Sequence, residues 1–264
     1  MRAGVVVVLA VALCACSSSK PKLAAPPHVT SFAVQSSLVG RQLYGVLVTP
    51  AGGGEGRPLL VFLHGYGASP SDTLSPAFTM ALRRLGDDAP VVLLPEGDTG
   101  WWHNRQEGKW GSYVLREAIP AALRRSGADP HRVAIGGISM GGFGALDIGR
   151  RHGRFCAVGG HSPAIWTSAS ETAPGAFDDA ADFARNDVVA LARARGSGLT
   201  RGGGHARRAW IDSGDADPFV AGDRALAAAL GVPKRTWPGA HDAAYWRAHY
   251  RDYLRFYAAA VERC

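Results

Sequence analysis

Gly137-Ile138-Ser139-Met140-Gly141 sets one serine between two glycines. The G-x-S-x-G spacing suits a serine held on a sharp strand-to-helix turn, where the glycines let neighbouring backbone pass close and the hydroxyl stands clear as a nucleophile. In a chain with 34 glycines the pattern alone carries little weight. Its flanks add the rest: Val133-Ala134-Ile135-Gly136 reads as a buried strand, and Gly142-Phe143-Gly144-Ala145-Leu146 as the start of a closely packed helix. A strand, a tight turn and a helix N-terminus supply backbone donors and a favourable dipole for an oxyanion. A second donor is expected from the loop after an earlier central strand, and Leu60-Val61-Phe62-Leu63-His64-Gly65-Tyr66-Gly67 has that form. We expect the backbone N–H groups of Tyr66 and Met140 to make the oxyanion hole, with His64 shaping the loop and taking no part in the chemistry.

Such a serine needs a general base and an acid to orient it, following in the order Ser, Asp or Glu, His. Asp215 and Asp217 both lie beyond the strand reading Ala209-Trp210-Ile211-Asp212-Ser213-Gly214, and His241 lies beyond the strand near residues 234–237. Both loops leave the C-terminal end of a strand, where sites in parallel sheets are built. Pro218 biases Asp217 toward an extended backbone, whereas Asp215, just after Gly214, is placed to bond its own turn. The expected catalytic set is therefore Ser139, Asp217 and His241. His28 falls in an N-terminal tether, His103 in a loop, His161 at a strand end and His249 inside the last helix. No His/Cys/Asp cluster has metal-ligand spacing, so neither a metal nor another cofactor is expected.

The elements that must hold these residues are short apolar runs alternating with helical stretches. Runs at 59–63, 91–94, 133–135, 155–158 and 209–211 read as strands buried on both faces; helices are expected over 71–85, 113–125, 140–151, 223–230 and 243–262. Two alternating segments near 29–34 and 42–48 open the fold as an antiparallel pair. The pattern predicts an α/β class with a mostly parallel sheet and helices on both faces, in one domain over 29–264. Residues 166–186 are long and polar and read equally as a partial lid or a surface excursion. Trp101, Trp102, Trp110 and Trp166 read equally as pocket lining or core.

Arg2, the apolar run from Val5 to Leu13 and then Ala15-Cys16 have the layout of an export signal, too short to span a bilayer. The run resembles a bacterial lipoprotein signal, which implies cleavage after residue 15, lipid on Cys16 and a tether over 16–28, leaving the protein at the outer face of the cell membrane. Cys156 and Cys264 then remain for an oxidising exterior, paired or as two free thiols. The net charge of +7 is scattered, with no aromatic-interleaved basic stripe, which argues against a nucleic-acid partner.

Leu63-His64-Gly65, Asp129-Pro130-His131-Arg132-Val133 leading into the Ser139 motif, Gly214 to Phe219, and Gly239-Ala240-His241-Asp242 with Trp246 resemble the esterase D-like group of α/β hydrolases. That group includes S-formylglutathione hydrolases, feruloyl-type esterases and mycolyltransferases. The resemblance, over about residues 40–257, implies the α/β-hydrolase fold and an acid three residues after Gly214, which is Asp217. It implies ester chemistry through an acyl-enzyme on Ser139 and leaves the substrate open. Water as acceptor makes a hydrolase, and an envelope alcohol or sugar makes an acyltransferase. A non-catalytic binding protein on the same scaffold is disfavoured by the complete Ser–Asp–His set.

Overall fold

In the computed structural model, residues 23–195, 201–202, 205–206 and 208–264 are described. The leader, Cys16 and the first part of the tether lie outside the described residues. No described helix is long and apolar enough to cross a membrane.

Alternating and continuous apolar segments fold as their patterns require. β1 (His28–Ser36) and β2 (Arg41–Thr49) form the antiparallel opening pair. They lead through β3 (Leu59–Leu63), β4 (Val91–Pro95), β5 (Val133–Ile138), β6 (Phe155–His161), β9 (Arg208–Gly214) and β10 (Lys234–Trp237). A two-stranded ribbon, β7 (Arg201–Gly202) and β8 (His205–Ala206), stands apart. The main sheet has eight strands in the order β1-β2-β4-β3-β5-β6-β9-β10, antiparallel at β1–β2 and β2–β4 and parallel from β4 onward. β3, β4, β5 and β6 are buried at every position, which is why they read as unbroken apolar runs.

Because side chains alternate across a strand, the sheet divides the core in two. Leu59, Val61 and Leu63 face the layer of α4 (Ile119–Ser126), α5 (Met140–Arg151) and α8 (Val220–Leu230). Leu60 and Phe62 face α2 (Pro76–Arg83) and α9 (Ala243–Val261). Helices on both faces close the α/β hydrolase architecture expected from the sequence.

Several element boundaries differ from expectation for local reasons. The helix expected over 71–85 is two helices, α1 (Pro70–Thr73) and α2. Pro76 pushes Ser75 to an extended backbone, and the Ser75 hydroxyl then caps the new start by accepting the Phe78 N–H at 3.3 Å. The helix expected over 113–125 starts earlier with α3 (Trp110–Tyr113) and passes through a π turn at Val114–Ala118 before α4. Pro120 lacks an N–H and clashes with the carbonyl four residues back, and the wider turn lies just before it. α6 (Ala180–Asn186) and α7 (Val188–Arg195) were not foreseen. The end of the segment expected as a tether is docked: Ala24 exchanges two hydrogen bonds with Arg83, its N–H to the Arg83 carbonyl and the Arg83 Nε–H to its own carbonyl.

Cys156, at the start of β6, and Cys264, after α9, form a disulfide across 108 residues of chain. Cys156 is buried and Cys264 exposed, so reductant has access to one sulfur. A loop of that length restricts the unfolded chain strongly, and its loss typically costs about 2–4 kcal/mol. Cys264→Ser should lower the melting temperature in calorimetry, and dithiothreitol should bring the wild type down to the same value while leaving the variant unmoved.

Candidate active site

Ser139 is the single residue between β5 and α5, and its backbone sits at φ 53°, ψ −119°. A non-glycine residue there carries strain of about 1–3 kcal/mol, tolerated only when its surroundings enforce it. Here the Ser139 N–H donates to the His161 carbonyl at 3.0 Å, and the Ser139 carbonyl accepts from Phe143 at 3.0 Å and Ala164 at 3.1 Å. The glycines of the motif make room: a Cβ on Gly137 or Gly141 would drive into the Leu63 carbonyl at the end of β3. The signature read from sequence is thus a packing requirement between two adjacent strands and a helix.

His241 hangs from the loop between β10 and α9. Its Nε2 lies 2.8 Å from the Ser139 Oγ and its Nδ1 2.9 Å from the Asp217 Oδ2. Asp217 is 2% exposed. Burial raises its pKa, but bonds from His241 and from the Phe219 N–H at 2.8 Å outweigh that, and the net shift is downward. A retained carboxylate fixes the tautomer: Nδ1–H donates to Asp217, leaving the Nε2 lone pair to accept the serine proton. Asp215 is exposed, and its Oδ1 accepts the Gly239 N–H at 3.0 Å. It therefore bonds the neighbouring loop, not its own turn as expected, and it braces the segment that carries His241.

The loop after β3 backs onto the serine, since a Cβ on Gly65 would stand 3.5 Å from the Ser139 Cβ. His64 is buried beneath it. Its Nδ1–H donates to the Gly65 carbonyl at 2.8 Å, its Nε2 accepts the Gly97 N–H at 3.0 Å, and its carbonyl accepts the Trp102 indole N–H at 3.1 Å. Burial holds its pKa below the usual value, in keeping with a neutral ring that accepts an N–H. The backbone N–H groups of Tyr66 and Met140 have no partner among the loop, turn and side-chain hydrogen bonds of the described residues.

Residues 36–257 match the family described as "Putative esterase". The chain belongs to this esterase family. A search of curated protein sequences found no match. Among solved structures, the S-formylglutathione hydrolase of Agrobacterium tumefaciens superposes with a TM-score of 0.75 at 20% identity, over 89% of this chain and 96% of that one. A ferulic acid esterase gives 0.75 at 21%, over 89% and 99%. The fluorophosphonate-binding serine hydrolase FphF of Staphylococcus aureus gives 0.69 at 17%, also over 89% and 99%. At such identities the likeness is one of fold.

Three of the four tryptophans in question are core residues of the esterase: Trp101, Trp102 and Trp110 are at most 4% exposed. Trp166 is half-buried and belongs to the site. Its ring lies 5.1 Å from Trp101 and 5.4 Å from Phe219, which is itself 5.1 Å from His241. Tyr66, 58% exposed and 5.8 Å from Trp101, and Trp246, 5.3 Å from His241, complete an aromatic rim. Residues 166–186 are pinned: Phe177 packs on His103 and Phe143, and His103 bonds the buried Asp182 at 3.1 Å.

Sequence reading missed a buried polar cluster behind Ser139. The Asp212 carboxylate, on β9, accepts from His161 Nδ1 at 2.7 Å, Trp210 Nε1 at 2.5 Å, and the hydroxyls of Tyr245 and Tyr253, each at 2.9 Å. His161 completes its bonding by accepting from the Tyr257 hydroxyl at 2.9 Å. Burial, then the Asp212 charge, push the Tyr245 and Tyr253 pKa values far up, so both remain donors. The cluster acts on both ends of the site. His161 supplies the carbonyl that holds Ser139, while Tyr245, in the first turn of α9, packs its ring under Gly239 in the loop of His241. The tyrosines at 245, 253 and 257 on the inner face of α9 were the available signal. Tyr245→Phe and Tyr253→Phe each remove one bond to the same carboxylate, at a comparable cost of about 1–3 kcal/mol. In steady-state kinetics Tyr245→Phe should lower kcat about tenfold or more with KM little changed, and Tyr253→Phe should leave kcat near wild type. Equal kcat losses would make the cluster a purely structural core.

Proposed function

We propose that this esterase is an exported serine hydrolase that cleaves carboxylic esters through an acyl-enzyme on Ser139. The observation that carries this reading is the hydrogen-bonded chain from Asp217 through His241 to Ser139. His241 removes the hydroxyl proton through Nε2 as Ser139 Oγ attacks the ester carbonyl. The N–H groups of Tyr66 and Met140 receive the oxyanion, Met140 as the first residue of α5 with the helix dipole behind it. His241 then passes its proton to the departing alkoxy oxygen, and the acyl group stays on Ser139. Water, deprotonated by the same nitrogen, completes hydrolysis; a sugar or envelope alcohol in its place gives acyl transfer. The His241 side chain is 19% exposed, enough to meet a solvent-borne acceptor, whereas Asp217 is sealed.

The rim of Tyr66, Trp166, Phe219 and Trp246 suits small or planar ester groups, and no insertion among the described residues provides a long acyl channel. Simple short-chain acyl esters are the proposed substrate class. The leader and Ala15-Cys16 support a lipoprotein at the outer membrane face, held through lipid on Cys16.

Hydrolysis of p-nitrophenyl acetate and butyrate tests the chemistry. Ser139→Ala should lower turnover by about six orders of magnitude and abolish fluorophosphonate labelling. Asp217→Asn should keep the fold and lose about four orders of magnitude. Asp215→Asn, which weakens only the brace on the His241 loop, should lose far less. Full activity in Ser139→Ala overturns the reading; the reverse ranking of the two aspartates moves the acid to Asp215.

A further inference from the structure

α9 carries Arg247, Arg251 and Arg255 at four-residue spacing, all exposed on one side of the helix. Beside it, α2 presents Met80, 38% exposed, and Arg84 follows at the helix end. Together Met80, Arg84, Arg251 and Arg255 border an open hollow of about 580 Å³. None of the four arginines joins an ion pair among the described residues. Among the described residues Asp88 is the one carboxylate on the hollow's wall, and Asp252 on α9 lies 4.0 Å from His249. The face is therefore cationic with an apolar floor. Its charges are unspent within the protein.

The chain itself leads to this face. Leu23, 36% exposed, lines the same hollow, and the next residue is fastened to Arg83 by two hydrogen bonds. Lys20 and Lys22 precede it in sequence. Six residues lie between Cys16 and Leu23, and the seven steps that join them reach at most about 25 Å. A chain anchored at Cys16 is thus held with this side near the bilayer and cannot rotate it far away.

We propose that the α2–α9 face is a membrane-docking surface for anionic phospholipid headgroups, which Arg84, Arg247, Arg251 and Arg255 contact while Met80 and Leu23 meet the lipid interface. The orientation of the anchored protein rests on the lipoprotein reading above; the affinity of the face for lipid does not. Each arginine near an anionic surface strengthens binding about fivefold, and salt screens the attraction within a Debye length. Docking along α9 sets the His241 loop, which leads into its N-terminus, at the end of the docked face.

The test uses the chain from Ser17 onward, which lacks leader and lipid but keeps every described element, the first being β1 at His28. At low salt it should sediment with vesicles of phosphatidylcholine plus phosphatidylglycerol and not with phosphatidylcholine alone. Arg84→Gln, Arg251→Gln and Arg255→Gln combined should weaken that binding about a hundredfold, with p-nitrophenyl ester hydrolysis unchanged. Wild-type binding by the triple variant, or equal binding to both vesicles, overturns the proposal. Binding to duplex DNA but not to vesicles overturns it in favour of a nucleic-acid partner. Mass spectrometry of the full-length protein from membranes tests the anchor separately: an unmodified Cys16 with vesicle binding intact removes the lipoprotein reading and leaves the docking face standing.

Discussion

The strained backbone of Ser139 is the constraint around which the esterase is organised. A serine in the positive-φ region relaxes unless it is bonded from several sides, and here the bonds come from β6, from α5 and from the segment after β6. Its two neighbouring glycines exist because β3 must come close enough for its terminal carbonyl to touch the turn. The parallel order β3-β5-β6 is what delivers those partners together. Strand order, glycine placement and the exposed hydroxyl are one solution to one steric problem.

Around that turn lie three buried carboxyl groups in three different settings. Asp217 accepts from an imidazole and a backbone N–H, which keeps it ionised despite burial. Asp212 accepts four donors from three elements and ties them together. Asp223, in the first turn of α8, is fully buried, and burial, with the nearby Asp217 charge adding to it, drives its pKa well up. That shift favours the neutral carboxyl beside the charged Asp217. Environment, not residue type, assigns these roles.

Much of this was legible in the chain. The Ser139 turn, the Asp217 and His241 loops and the buried strands follow from motifs that backbone geometry dictates, and backbone geometry repeats wherever the same turn is built. The parts that escaped depend on other physics. α6 and α7 are short and rich in alanine and polar residues, with little periodicity to mark them. The break at Pro76 and the π turn before Pro120 reflect which backbone donors a proline removes. Pairing of Cys156 with Cys264 depends on where two strand and helix ends meet in space. The Asp212 cluster gathers β6, β9 and α9, and no local pattern announces such a meeting. Asp215 shows the same limit: its partner lies 24 residues away in the next loop.

Tyr245, Tyr253 and Tyr257 all reside on α9, after Ser139 and His241 in chain order, and Cys264, which closes the disulfide, follows them. A polypeptide made N-terminus first therefore carries its serine, and even its histidine, before the braces behind them exist. Until the closing stretch emerges, nothing backs the His161–Asp212 pair or props the histidine loop from below. The serine and the histidine therefore stand in place only once α9 has packed against the sheet.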